Sequence, residues 1–200
     1  LRTGQPLREA MTSANRQLYE MSDSMSFPVV VGVLDGVTGT FSCINAGQRP
    51  PLLMRGQDRY EWVKDLSYTP LGESENVVYQ VLELELRQGD RLFFHTDGLD
   101  QIQNGEGKTF GREQLRLTLN QPESRQADLD SQLQYVISTG GTYANRVNEI
   151  GGYALLALEY RRRDQAQAYC VLSAGAEGSR QLSEFLRGQL EANHIRGQQM

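Results

Sequence analysis

Residues 87–111 read RQGDRLFFHTDGLDQIQNGEGKTFG, and they carry more information than any other segment of this chain. Turn residues lead into the apolar run 91–95, which is typical of a buried strand, and Asp97-Gly98 follows where that strand ends. The sheet holds such a carboxylate rigidly, and carboxylate oxygens suit Mg2+ or Mn2+. Asp97 is therefore a candidate metal ligand, and Gly98 beside it would let a ligand approach the backbone. The alternative is an ordinary Asp-Gly turn without a metal.

The composition is that of a globular protein with one main domain. The chain has 200 residues, 38% of them hydrophobic, and a net charge of -5. Lysine and arginine are neither in excess nor clustered outside residues 161–163, so we expect no nucleic-acid binding. No apolar run approaches the roughly 18 residues of a membrane span, so we expect no membrane segment. Cys43 and Cys170 lack a CxxC partner, which argues against zinc and favours a reduced, cytoplasmic protein.

The spacing of apolar residues predicts an α+β fold, with an antiparallel sheet covered by helices. An amphipathic helix is predicted over residues 6–21, before the first strand. Over residues 77–86 the strict alternation shifts from one face to the other, which indicates a bulge or an edge strand. Strands are predicted at 27–34, 40–45, 52–55, 60–63, 77–86, 91–96, 151–160 and 168–173, and the later helices at 112–120, 127–138 and 178–193.

This sequence contains no recognisable motif for nucleophilic catalysis. There is no serine-hydrolase elbow, P-loop or dinucleotide fingerprint. His95 lies within a predicted strand and His194 ends a predicted helix, each without a nearby nucleophile. We therefore interpret His95 as a structural or half-buried residue and assign no catalytic residue.

Three segments, taken together, resemble the type 2C metal-dependent protein phosphatases (the PPM family). The similarity is to the bacterial branch named for stage II sporulation protein E (SpoIIE). Residues 41–51, FSCINAGQRPP, resemble its strand and NAGH-x-P turn, and residues 88–111 resemble its GD…YTDG…FG block. Residues 15–18, NRQL, fit its helix before the first of these strands. The resemblance covers roughly residues 5–160 and implies an antiparallel β-sandwich flanked by helices.

The resemblance implies a site for two Mn2+ or Mg2+ ions that share a bridging water. Asp97 matches the aspartate of the TDG motif. The late DD-x-T motif falls on Gly151-Gly152, which have no side chains to replace carboxylates, and Asn148 and Glu149 are out of register. Metal binding is therefore expected to be weak or absent in this chain.

Two further departures affect the same implied site. The histidine of the NAGH motif is replaced by Gln48. The family's early GD-x-SGHG block would precede residue 6, so the first strands of the fold are expected to be missing from this chain. An unpaired sheet edge would then be open to pairing with a second copy, which leaves a homodimer as an alternative.

Two functions follow from the resemblance. In the first, residues 1–163 form a degenerate phosphatase domain of bacterial partner-switching or stress signalling, which binds a regulatory protein. In the second, the domain is an active phosphatase acting on a phosphorylated anti-sigma-factor antagonist. Residues 164–200 resemble the start of a histidine-kinase-like ATPase domain, although a plain capping helix is the alternative. A third class is an unrelated sheet protein, in which Asp97 would point into the core or into solvent, away from the position of Gly151.

Overall fold

The computed structural model describes residues 4–21, 26–64, 69–145, 152–162 and 167–173. Within these ranges, two antiparallel sheets form a sandwich with helices on both outer faces, so the predicted α+β class and sandwich are confirmed. The helices are α1 (Gly4–Met21), α2 (Asp97–Asp100), α3 (Gly111–Leu119), α4 (Pro122–Arg125) and α5 (Leu129–Tyr143). The strands are β1 (Val29–Asp35), β2 (Thr40–Ala46), β3 (Leu52–Met54), β4 (Tyr60–Trp62), β5 (Leu82–Glu85), β6 (Arg91–His95), β7 (Leu155–Glu159) and β8 (Gln167–Ser173).

Strand β6 explains how the layers pack. The first sheet has the order β5-β2-β1-β8 and the second has the order β4-β3-β6-β7. Leu92 and Phe94 of β6 face the first sheet and share a buried core with its Val30 and Phe41. Phe93 belongs instead to the core under α3 and α5. This alternation is expected of a strand that is covered on both faces.

Helix α1 covers the outer face of the first sheet. Its Leu7 and Met11 are buried in a cluster with Val29 and Ile44 of the two central strands. Asn15 is fully buried, where its side chain donates to the Ser74 carbonyl and accepts from a backbone amide in the same loop. Asn15, part of the family-like NRQL segment, therefore has a structural role that ties the helix to this loop.

The strand predicted over 77–86 and the helix predicted over 127–138 differ in extent from the structure. Of the strand predicted over 77–86, only β5 pairs, at the edge of its sheet, and Val78 beyond it is 77% exposed. The edge position is confirmed. The helix predicted over 127–138 continues through Gly140 and Gly141, both of which are buried. Tertiary packing thus outweighs the low helix propensity of glycine.

The alternative of an ordinary turn at Asp97-Gly98 does not match the structure. The two residues begin the single-turn helix α2, whose Leu99 is 1% exposed in the core under α3 and α5. Burial of Leu99 is the physical reason that the chain forms a helical turn here. The helix predicted over 178–193 lies outside the described residues. None of the described helices combines the length and the apolar character that a membrane span requires.

Candidate functional site

The end of β6 is fixed to the start of β7 by Thr96. Its backbone N–H donates to the Ala154 carbonyl at 3.1 Å, and its hydroxyl accepts from the Ala154 N–H at 2.9 Å. Thr96 has an extended conformation and precedes the first turn of α2. The position of Asp97 is therefore set by two strands of the second sheet.

Asp97 has few contacts of its own. The residue is exposed, and its carboxylate accepts one hydrogen bond, from the Gln101 side-chain amide at 3.0 Å. No ion pair to Asp97 is present among the residues that the structure describes. The carboxylate is therefore free to meet a ligand from solvent.

Gly98, next to Asp97, lies against the segment in which the aspartates of the family's late DD-x-T motif were expected. A β-carbon on Gly98 would collide with the carbonyl oxygen of Gly152 and would lie 3.4 Å from the Tyr153 α-carbon. Gly98, the residue after Asp97, is therefore in close contact with the backbone of Gly152. What Gly152 contributes there is backbone alone. Gly151, Asn148 and Glu149 lie outside the described residues.

A buried charged cluster adjoins Asp97, and sequence reasoning missed it. Asp100 is 7% exposed at its side chain, and its two oxygens lie 3.2 Å from His95 Nε2 and 2.9 Å from Arg49 Nε. The contact with Arg49 is a close ion pair that lacks hydrogen-bond geometry. His95 is completely buried, and its Nδ1 has no partner among the described residues. No sequence signal links these three residues, since Arg49 comes from a distant turn.

The turn after β2 holds Arg49 in this cluster. The Asn45 amide donates to the Gln48 carbonyl and accepts from the Gln48 N–H, both at 2.8 Å. Gln48, which replaces the motif histidine, donates to the Pro28 carbonyl at 3.0 Å and is 8% exposed. Gly47 has a φ of +83° and packs against Pro70, so a side chain would be excluded there. The NAGQ turn is therefore a rigid structural element.

Asp90, the aspartate of the GD motif, lies at the other end of β6. It is 1% exposed and accepts from the N–H groups of Arg87 and Gly56, at 2.9 and 2.8 Å, and from Arg55 at 2.6 Å. Burial acts to raise the pKa of Asp90, but these donors outweigh it and hold the pKa below its ordinary value. Asp90 thus closes the turn that starts β6, about 17 Å along the chain from His95.

The described residues do not fit a dinuclear metal centre. Among them, no three His, Cys, Asp or Glu side chains come together in a way that would hold a metal ion. Asp100, the nearest other carboxylate in sequence, is already paired with Arg49 and His95. Asp97 would be left as a single ligand, and one carboxylate cannot balance the charge of two divalent ions.

Comparison with known proteins agrees with this architecture. The model of the family described as Stage II sporulation protein E (SpoIIE) matches residues 1–146. The RsbU and RsbW domains of a Mycobacterium tuberculosis protein superpose with a TM-score of 0.59 at 24% identity, covering 93% of this chain and 50% of that one. The SiaA-PP2C domain of Pseudomonas aeruginosa gives a TM-score of 0.61 at 17% identity, covering 76% of this chain and 58% of that one.

The phosphatase domain of SpoIIE from Bacillus subtilis also shares the fold. It matches with a TM-score of 0.53 at 11% identity, covering 78% of this chain and 72% of the other. At these identities the superpositions establish a common fold. The chain spans about half the length of the Mycobacterium tuberculosis relative and 58% of the Pseudomonas aeruginosa domain.

Proposed function

Because the chain belongs to the SpoIIE family, whose fold is that of the PPM serine/threonine phosphatases, we propose that it is a regulatory domain that lacks the dinuclear metal chemistry. The observation that carries this proposal is the packing of Gly152 backbone on Gly98, next to Asp97. A carboxylate pair in that segment would complete a metal site, whereas glycine offers none. The phosphatase fold is then used for binding.

The expected partner is a regulatory protein of bacterial partner-switching or stress signalling. Family membership supports this class, and the phosphorylated anti-sigma-factor antagonist is the specific partner we propose. The Arg49 side chain is 39% exposed and is held by Asp100, which follows Asp97 by three residues in α2. A fixed cation at this end of the sandwich is compatible with an acidic or phosphorylated protein surface. Such a role places the domain in the cytoplasm.

A second candidate function is an active Mn2+- or Mg2+-dependent phosphatase acting on the same antagonist. It is favoured by the exposure of Asp97, whose carboxylate accepts from the neutral Gln101 amide and from no other residue in the described part of the chain. The remaining ligands would then come from residues outside the described ranges, Glu149 included. Whether residues 164–200 begin an ATPase domain stays a prediction, as does a homodimer.

The two candidates are separated by activity and binding assays on the full-length protein. We expect no hydrolysis of a chromogenic phosphate ester in excess Mn2+, together with binding of the purified antagonist protein in EDTA. Turnover that is lost in Asp97→Ala and kept in Asp58→Ala, an exposed control, would establish the active phosphatase instead. Absence of both turnover and antagonist binding would refute the proposed regulatory role.

A further inference from the structure

A cavity lies at the Arg91 end of the second sheet, far from Asp97. Its volume is about 410 Å3, which falls within the roughly 300–1,000 Å3 of small-molecule sites. The turn after β3, the turn before β6 and the end of α4 form its walls. Its polar lining comes from six side chains: Gln57, Gln88, Arg91, Arg125, Gln126 and Glu159.

The one carboxylate in this lining is already neutralised. Glu159 is 14% exposed at its side chain, and its two oxygens lie 2.8 Å from Arg91 Nε and 2.8 Å from Arg161 Nε. The hydrogen bond from Arg161, with further support from Arg91, holds the pKa of Glu159 below its ordinary value. Arg91 in addition donates to the Ala127 carbonyl at 2.8 Å. The negative charge of Glu159 is therefore already compensated and cannot attract a cation. The net charge of Glu159 with its two arginines is positive.

The remaining polar side chains of the lining have N–H groups without a partner among the described residues: those of Gln57, Gln88, Arg125 and Gln126. Arg125 is half-buried, and its guanidinium has no hydrogen bond or ion pair with any residue that the structure describes. The side-chain amide oxygen of Gln88 accepts from the backbone N–H of Arg162 at 2.7 Å, which leaves the side-chain N–H groups of Gln88 for a ligand. Gln57 and Gln126 are exposed at the rim and can each donate as well.

We propose that this cavity binds a small organic anion carrying a phosphate or carboxylate group. Arg125 would pair with the anionic group, since a guanidinium binds either oxyanion through two parallel hydrogen bonds. Gln57, Gln88 and Gln126 would donate to the rest of the ligand, and the Arg91–Glu159 pair forms the floor. The site is independent of the proposed function, because it shares no residue with the Asp97 end.

Calorimetric titration of the full-length protein, freed of metal ions on a chelating resin and kept in a carboxylate-free and phosphate-free buffer, tests this site with three probes: adenosine monophosphate, citrate and inorganic phosphate. We expect at least one of the two organic anions to bind with a Kd below about 1 mM. The tighter of the two identifies a phosphate ester or a carboxylate as the preferred group. Failure of both organic anions to bind, with or without binding of inorganic phosphate, would overturn the proposal.

Two variants and two controls assign the binding to the cavity. Arg125→Gln removes the unpaired cation and Gln57→Glu adds a repelling charge at the rim, so each should weaken binding roughly tenfold. Arg59→Gln, an exposed arginine two residues from Gln57, should leave the Kd unchanged, as should Asp97→Ala. Thermal unfolding checks that each variant is folded. Wild-type affinity in folded Arg125→Gln would contradict the assignment.

Discussion

The two ends of strand β6 hold their carboxylates in opposite ways. At its start, Asp90 is buried and accepts from two backbone amides and from Arg55, and Glu159 is paired with two arginines. Past its far end, Asp97 is exposed and accepts from one neutral amide. The GD aspartate therefore stabilises the fold whatever chemistry the domain performs. The TDG aspartate contributes little to packing and has a role only if other ligands join it.

The largest effect on stability is expected at the start of the strand. Asp90→Ala leaves the N–H groups of Arg87 and Gly56 without their acceptor in a partly buried turn, and should lower the free energy of unfolding by about 3 kcal/mol. Urea denaturation measures this change. Asp58→Ala, an exposed aspartate nearby, serves as the control and should change it by less than about 0.5 kcal/mol. Equal losses in the two variants would break the contrast.

A smaller effect is expected from Gly98→Ala at the other end. The added methyl group would meet the Gly152 carbonyl oxygen, and overpacking against backbone should cost about 2 kcal/mol of unfolding free energy. The matched control is Gly105→Ala, since Gly105 has open space around it and should change stability by less than about 1 kcal/mol. An unaltered denaturation midpoint for Gly98→Ala would show that the two segments are not in close contact.

Acid titration sharpens the comparison further. The pKa values of Asp90 and Glu159 are lowered in the folded protein, so both groups stabilise it above their unfolded pKa values. This stability is lost as the pH falls below about 4 and the folded-state groups take up protons. Between pH 6 and pH 3, the free energy of unfolding should fall by about 1 kcal/mol less in Asp90→Asn than in the wild type. Urea denaturation at each pH measures this difference. A parallel pH profile for this variant would remove Asp90 from the account of acid stability.

The smallest effect is expected from Asp97→Ala. Its exposed carboxylate has a single hydrogen bond, so removal should change the free energy of unfolding by less than about 0.5 kcal/mol. Denaturation in the absence of metal makes this measurement. A loss comparable to that of Asp90→Ala would mean that Asp97, too, is a structural residue.

The sequence predicted the layers well, because β6 and its neighbours carry strong local patterns. The apolar run ending at His95 and the helical period before residue 21 were sufficient to predict β6 and α1, whereas the sandwich was implied by the family resemblance. Local propensity was not sufficient to predict α2. This helical turn forms because Leu99 is buried in a core whose other residues are distant in sequence. The same applies to Gly140 and Gly141, which packing holds within a helix.

At the candidate site, the motifs predicted that the late metal-binding segment falls on Gly151-Gly152, and the structure shows Gly98 packed against the Gly152 backbone. They did not predict the cluster of Asp100 with His95 and Arg49. Such a cluster depends on tertiary contact between a turn and a single-turn helix, and no period or spacing records it. His95 therefore looked solitary in sequence, although it is paired in the structure.

The most direct test of the missing metal centre is a calorimetric titration of the full-length protein with Mn2+ at neutral pH. We predict no two-site binding with a Kd below about 1 mM, because the described residues bring no group of three ligating side chains together and Gly98, beside Asp97, packs on glycine backbone. Tight binding of two Mn2+ ions that is abolished by Asp97→Ala and retained by Asp58→Ala would contradict this prediction.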